Sequence, residues 1–165
     1  MEVVKTALIA GGGLWARVRQ GGEVGGPDIM GCLRTKLAVV AEDERDGGRR
    51  QVLNLGHTVG HAIEAATAYG RYRHGEAVAL GMLAALRLSD AGELRDEVAA
   101  LLERHGLPTA LDPEVDVDAV IDAVERDKKR TADGVGFVLL ARPGDPRPGQ
   151  RVDPATLRAA VEELR

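Results

Sequence analysis

LNLGHTVGHAIEAATAYGRYRHGEAVALGM (residues 53–82) contains three of the four histidines of this 165-residue chain. His57 and His61 are four residues apart, a spacing that places two side chains on one face of an α-helix. Gly56 and Gly60 directly precede them, although a glycine inside a helix costs about 1 kcal/mol relative to alanine. We therefore expect another backbone or a ligand to approach this helix closely.

The third histidine, His74, stands at a predicted helix start in the motif HGEA. Three neutral imidazoles, or two with a carboxylate, leave an open position on zinc, which is typical of catalytic sites. A histidine pair also suits one metal ligand plus one group that hydrogen-bonds a substrate. The glutamate base of a zinc-protease helix is missing between the paired histidines, and Glu64 and Glu76 are either candidate carboxylates or exposed helical charges. The residues alone predict a metal site without specifying its reaction.

The composition is that of an ordinary soluble domain, with 44% hydrophobic and 29% charged residues. A net charge of -4 argues against a dedicated nucleic-acid binder. Cys32 is the single cysteine, which excludes a disulfide framework and a thiolate zinc cluster. No segment has the roughly 18–20 apolar residues of a membrane span. We predict a cytoplasmic protein without a membrane or nucleic-acid partner.

Helical periodicity dominates the chain and predicts a mainly α domain with a small β-strand or hairpin near the C-terminus. The predicted helices cover residues 3–18 with a glycine break, 29–41 with Asp28 as its cap, 49–68, 74–90, 93–105, 115–126 and 154–164. GVGFVLL (134–140) is the predicted strand, and ARPGDPRPGQ (141–150) is predicted to be a turn.

Longer motifs identify a family resemblance. The segments are KLAVVAEDERDGGRRQVLNLGHTVGHAIE (36–64), HGEAVALGM (74–82), DKKRTADGVGFVLLARPG (127–144) and MEVVKTALIAGGGLW (1–15). Together they closely resemble 3-dehydroquinate synthase, an enzyme of the shikimate pathway of chorismate and aromatic amino acid biosynthesis. The resemblance covers nearly the whole chain and implies the fold of that family's C-terminal, metal-binding domain.

The resemblance also implies a division of labour among the histidines. In that family a zinc ion, or cobalt in its place, is held by one glutamate and two histidines. The matching positions here are Glu2, His57 and His74. His61 then matches a catalytic histidine that faces the substrate and is not a metal ligand.

The remaining matching positions are mostly cations, as an acidic phosphorylated substrate requires. Lys5, Lys36 and Arg50 match residues with catalytic and substrate-binding roles, and arginine suits a bidentate carboxylate contact. The implied phosphate contacts are Asn54 and either Lys128 or Lys129. Asp46 matches a catalytic position at which the family usually has glutamate, so the charge is kept on a shorter side chain.

The implied substrate is a phosphorylated seven-carbon keto acid, 3-deoxy-arabino-heptulosonate 7-phosphate, which is converted to 3-dehydroquinate and phosphate with NAD. Family members are about twice as long, and no G-x-G-x-x-G motif follows a strand here. We therefore expect residues 1–165 to be one C-terminal, metal- and substrate-binding domain without its N-terminal NAD-binding α/β domain. Its expected partner is such an NAD-binding half, or a second copy of the chain, and activity without that half is not expected.

Three other functions are compatible with the residues. The chain could belong to a related cyclase that uses another sugar phosphate, although the DKK motif and Arg50 argue against this. It could be a non-catalytic helical module that binds a metal or a protein. A metal-dependent alcohol dehydrogenase is a further alternative, but it would have no use for the anion-binding residues.

Overall fold

The computed structural model describes residues 1–43, 48–130 and 136–165, with side chains for all of these except 128–130. Helices predominate in these ranges, and a two-stranded antiparallel sheet lies near the C-terminus. The predicted fold class is therefore confirmed. The α-helices are α1 (Glu2–Ala10), α2 (Gly12–Val18), α3 (Gly26–Glu42), α4 (His57–Ala66), α5 (His74–Leu88), α6 (Gly92–Arg104), α7 (Val117–Arg130) and α8 (Pro154–Glu162).

The central element is α5. Its residues from Ala77 to Leu86 are all buried, as expected for a helix that is apolar on every side. It contacts α4, α6, α8 and the first strand. α4 packs between α5 and α7, so the two helices that begin with His57 and His74 are direct neighbours.

The segment predicted as one long helix over residues 49–68 is in fact two elements, and this prediction was wrong. A 3-10 helix covers Arg49–Asn54, and α4 begins only at His57. Gly56 between them has φ 79° and ψ -10°, a left-handed conformation that glycine adopts without steric cost. The chain therefore turns at Gly56, and the turn directs the start of α4 towards α5.

The predicted turn after the strand was also wrong in part. β1 (Phe137–Leu140) pairs with β2 (Pro146–Gln150), and β2 lies within the segment predicted as a turn. Leu139 lies opposite Arg147 in this pairing, with an irregularity in register towards Phe137. A strand with two prolines is tolerated here because each strand of a two-stranded sheet is an edge strand and needs partners on one side only.

Asp28, predicted as the cap of α3, is instead its third residue, three positions after the N-cap Gly25. The helix begins at Gly26, and the Gly25 N–H donates a hydrogen bond to Asp28 Oδ2 at 3.1 Å. Asp28 thus stabilises the helix start from its first turn, where a carboxylate also complements the helix dipole.

Candidate metal centre

Three imidazoles meet where α4 and α5 begin. His57 is the first residue of α4, His61 lies one turn further on, and His74 is the first residue of α5. Their ring centroids are 5.3–5.7 Å apart, and one ring nitrogen from each lies within 4.8 Å of the others. Nitrogen ligands of a tetrahedral zinc stand about 3.4 Å apart, so side-chain movements of about 1.4 Å or less would complete the set.

Glycines bring the two helices into backbone contact beside the histidines. A Cβ atom on Gly60 would lie 3.0 Å from Val78 Cα, and one on Gly56 would lie 2.7 Å from Met82 N. From the other side, a Cβ on Gly81 would meet the Gly56 carbonyl oxygen. The predicted close approach at the glycines is therefore confirmed, and the approaching group is the backbone of α5.

His57 is prepared to bind as a neutral base. Burial, followed by the positive charge of Lys5, lowers the pKa of His57 from 6.5 to about 4. Its Nδ1 atom lies 3.3 Å from the Leu55 carbonyl oxygen, which can only accept a hydrogen bond. The contact therefore places the proton on Nδ1 and leaves the Nε2 lone pair free for a metal or a substrate proton.

The position of Glu64 decides between the two roles that the sequence left open for it. Its carboxylate is buried and lies 3.2 and 3.4 Å from His74 Nδ1, whereas an exposed helical charge was one of the two expectations. The signal was its spacing, because Glu64 follows His61 by three residues and His57 by seven and so shares their helix face. Glu76 instead accepts a hydrogen bond from the Arg73 N–H at the start of α5.

The predicted ligand Glu2 is paired with two lysines. Glu2 Oε1 lies 3.2 Å from Lys5 Nζ and 2.9 Å from Lys36 Nζ. Burial raises the pKa of Glu2, but the hydrogen bond from Lys36 and the charge of Lys5 outweigh it, and the net pKa is lowered. Burial also lowers the pKa of Lys5, against the opposing effect of Glu2. This Glu2 cluster (Glu2, Lys5 and Lys36) combines two cations with a carboxyl group whose pKa is lowered.

Glu2 and the histidines lie on adjoining helix starts. A Cβ on Gly75, the residue after His74, would meet Met1 Cβ at 3.8 Å. The close group of metal-binding side chains among the described residues nevertheless consists of the three histidines, without Glu2. Two ligand sets are therefore compatible with the arrangement: the three imidazoles, or His57 and His74 completed by a movement of the Glu2 carboxylate.

The other predicted substrate contacts lie on neighbouring elements. Arg50 and Asn54 are on the 3-10 helix that precedes α4, where Asn54 is exposed and the Arg50 N–H donates to Asp43 Oδ2 at 3.0 Å. Asp46 and the side chains of Lys128 and Lys129 lie outside the described residues. The roles of all five remain predictions.

Two open clefts flank the histidines and have Glu64 in common. One, of about 690 Å³, is lined on its site side by His61 and by Arg126 of α7. The other, of about 670 Å³, is lined by His74 and Arg73. Tyr69, which is exposed, contributes to both. Each volume is in the range of small-molecule sites, about 300–1,000 Å³.

A family model described as 3-dehydroquinate synthase C-terminal matches residues 1–130. The chain belongs to this family. The resemblance seen in the motifs is thereby confirmed. Similar relatives include the 3-dehydroquinate synthase of Gloeobacter violaceus, 38% identical over 99% of this chain and 49% of the relative. That of Acidithiobacillus ferrooxidans is 44% identical over 81% of this chain and 38% of its own length. The chain thus spans half or less of the curated relatives it matches.

Solved structures of sugar phosphate cyclases share the fold. The chain is similar to 2-deoxy-scyllo-inosose synthase complexed with carbaglucose-6-phosphate, NAD⁺ and Co²⁺, with a TM-score of 0.77, 24% identity and coverage of 99% of this chain and 49% of that one. It is also similar to 2-epi-5-epi-valiolone synthase from Streptomyces hygroscopicus with NAD⁺ and Zn²⁺ bound, with a TM-score of 0.80, 22% identity and the same coverage. Among the described residues, no helix has both the length and the apolarity to cross a lipid bilayer.

Proposed function

We propose that residues 1–165 are the C-terminal, metal- and substrate-binding domain of a cytoplasmic 3-dehydroquinate synthase. Together with an NAD-binding half, it would convert 3-deoxy-arabino-heptulosonate 7-phosphate to 3-dehydroquinate and phosphate. The observation that carries this proposal is the meeting of His57, His61 and His74 at two adjoining helix starts in a chain of this family. Cations on α1 and α3 suit a substrate that bears a carboxylate and a phosphate.

We propose zinc or cobalt as the metal, with His57 and His74 as ligands in either set and Glu2 or His61 as the third. When bound, such an ion would polarise a substrate oxygen, and NAD would accept and return a hydride. The chain's own residues support this choice of metal. The lowered pKa of His57 keeps its imidazole unprotonated at neutral pH, and imidazole is a ligand that both metals accept.

The cations would bind and orient the substrate. Lys5 is buried with its ammonium group on Glu2, so an arriving anion would compete with a carboxylate that is already in place. Lys36 is only partly buried and can turn from Glu2 towards an anionic group. Its movement would leave Glu2 paired with Lys5 alone and so ease a movement of the Glu2 carboxylate to the metal, which links substrate binding to the choice between the two ligand sets.

The second candidate function is a related sugar phosphate cyclase. It is favoured by one observation, the similarity to two solved cyclases whose names include other cyclic products. Identities of 22–24% support a shared fold but do not indicate a shared substrate. The 3-dehydroquinate synthases are more similar in sequence, at 38–44% identity, and so we place that activity first.

A surface on α3 of this chain suits contact with the proposed NAD-binding half. Four exposed apolar side chains follow one face of this helix at successive spacings of one, three and four residues; they are Ile29, Met30, Leu33 and Leu37, and we call them the α3 stripe. Leu37 is next to Lys36, so the stripe adjoins the Glu2 cluster. A domain that covers the site would bury the stripe as well, and an exposed apolar face of this kind marks an interaction surface.

Phosphate release tests the reaction. We would incubate the chain, NAD and zinc with heptulosonate phosphate or, separately, with the sugar phosphate substrate of a related cyclase. Each reaction is tested with and without a purified NAD-binding half from a family member. Release only in the mixture supports the proposal, and release from a cyclase substrate but not from the heptulosonate supports the second function. Zinc binding at one equivalent without release under any condition would overturn both and leave a non-catalytic metal-binding module.

The same mixture tests the partner surface. The double substitution Leu33→Ser and Leu37→Ser should lower the affinity between the two halves at least tenfold, measured by analytical ultracentrifugation. Exposed Leu residues on α3 are chosen because their replacement leaves the core intact. If the wild-type chain forms a stable dimer and ignores the NAD-binding half, the stripe serves self-association instead.

A further inference from the structure

Glu64 is a buried acid with a specific partner. It is 7% exposed, and in the described part of the chain the other buried polar or charged residues are Lys5 and Thr6. A carboxylate at this depth is costly to bury unless it is hydrogen-bonded or paired. The partner of Glu64 among the described residues is the Nδ1 atom of His74, which lies 3.2 Å from Oε1 and 3.4 Å from Oε2.

His74 needs a hydrogen-bonding partner more than His57, the other histidine at a helix start. The ring of His57 is half-buried and is held by the Leu55 carbonyl through Nδ1. The His74 side chain is 54% exposed, so packing restrains its ring less. Glu64 comes from the neighbouring helix α4 and therefore fixes His74 relative to the two histidines of that helix.

We propose that Glu64 is a positioning residue that holds His74 with its proton on Nδ1 and its Nε2 lone pair turned towards His57 and His61. An ionised carboxylate can only accept hydrogen bonds, so the contact selects the Nδ1–H form of a neutral imidazole. The same form is selected at His57 by a main-chain carbonyl. Two acceptors of different kinds would thus leave the Nε2 lone pairs of both rings free to bind one ion.

This inference rests on the proposed function only in its consequence for metal binding. Carboxylates behind metal-binding histidines orient the ring and raise its basicity, and their removal typically costs 10–100-fold in metal affinity. The tautomer itself is a property of the metal-free chain, and it can be measured whether or not the protein is an enzyme.

The first experiment is a long-range ¹H–¹⁵N correlation spectrum of the metal-free protein labelled in its histidines, at mildly alkaline pH where imidazoles are neutral. The variant His74→Asn assigns the His74 signals by their loss. We expect Nδ1 to carry the proton in the wild type. In Glu64→Ala the proton should move to Nε2, the form that an unconstrained imidazole in water prefers.

The second experiment measures zinc affinity by competition with a chromogenic chelator. Glu64→Ala should weaken binding 10–100-fold, and Glu64→Gln should weaken it less because an amide oxygen can still accept from Nδ1–H. The control Glu125→Gln changes an exposed glutamate of α7 and should leave both tautomer and affinity unchanged.

A wild-type His74 that carries its proton on Nε2 would overturn the proposal, as would a folded Glu64→Ala variant with zinc affinity within twofold of the wild type. If Glu64→Ala fails to fold, the wild-type spectrum and Glu64→Gln still decide. An Nδ1–H tautomer together with no phosphate release would refute the proposed reaction and leave the role of Glu64 intact.

Discussion

Gly81→Ala is expected to separate the two helices that carry the histidines. A Cβ at this position would meet the Gly56 carbonyl oxygen and would lie 2.8 Å from Gly60 N, whereas ordinary contacts begin at 3.4 Å. The Gly60 contact alone requires a shift of about 0.6 Å. Both opposing atoms are backbone atoms, one at Gly56 directly before α4 and one at Gly60 within it. No side-chain rotation can relieve the overlap, and the helices themselves must move.

The expected loss of stability follows from two opposing effects. Overpacking in a core costs about 1–3 kcal/mol, and a backbone-to-backbone overlap belongs at the upper end of that range or above it. The higher helix propensity of alanine offsets this loss of stability by up to about 1 kcal/mol. We therefore expect Gly81→Ala to lower the free energy of unfolding by about 2 kcal/mol or more. For a chain of this length that corresponds to a fall in Tm of about 4–8 °C.

Urea unfolding followed by circular dichroism measures this difference, with Gly75→Ala as the matched control. Gly75 lies on the same helix, and a Cβ there meets Met1 Cβ at an ordinary 3.8 Å. The control should be as stable as the wild type or up to about 1 kcal/mol more stable. Gly81→Ala should also weaken zinc binding, since the shift moves His57 away from His74. Equal stability of the two variants would refute the close packing of α4 on α5.

Three further predictions concern the histidines and the Glu2 cluster. Because the folded state takes up the His57 proton only near pH 4 and the unfolded state near 6.5, the stability of the metal-free protein should fall as pH drops from 6.5 to 4. After allowance for the partly exposed ring, the loss attributable to His57 is about 1–2 kcal/mol, and His57→Gln should flatten the pH profile by this amount. The variants Glu2→Gln and His61→Gln distinguish the two ligand sets. Loss of the true third ligand should weaken zinc binding more than about 100-fold, which is the upper end for residues that only support a ligand. Finally, Lys36→Met should raise the pKa of Glu2 in a ¹³C NMR titration and change the free energy of unfolding by less than about 1 kcal/mol, because the ion pair is partly exposed; an unchanged Glu2 pKa would show that the pair does not form in solution.

The sequence alone predicted what depends on local periodicity. The periodicity of residues 74–90 predicts a helix, which α5 confirms, and the spacing of His57 and His61 places both on one face wherever their helix lies. The family followed from the motifs in the same way, because they are strings of residues that can be compared without coordinates. These properties need no knowledge of which elements become neighbours.

Tertiary structure decided which groups share a partner. The chain turns at Gly56 because α5 packs against it there. Contacts between different elements also bury Glu64 against His74 and pair Glu2 with Lys36. A residue's spacing tells which side of its own helix it occupies, but its burial and its pKa are set by whatever packs against that side. For this reason the same glutamate spacing predicted either a surface charge or a carboxylate at the site, and the contact between α4 and α5 made the choice.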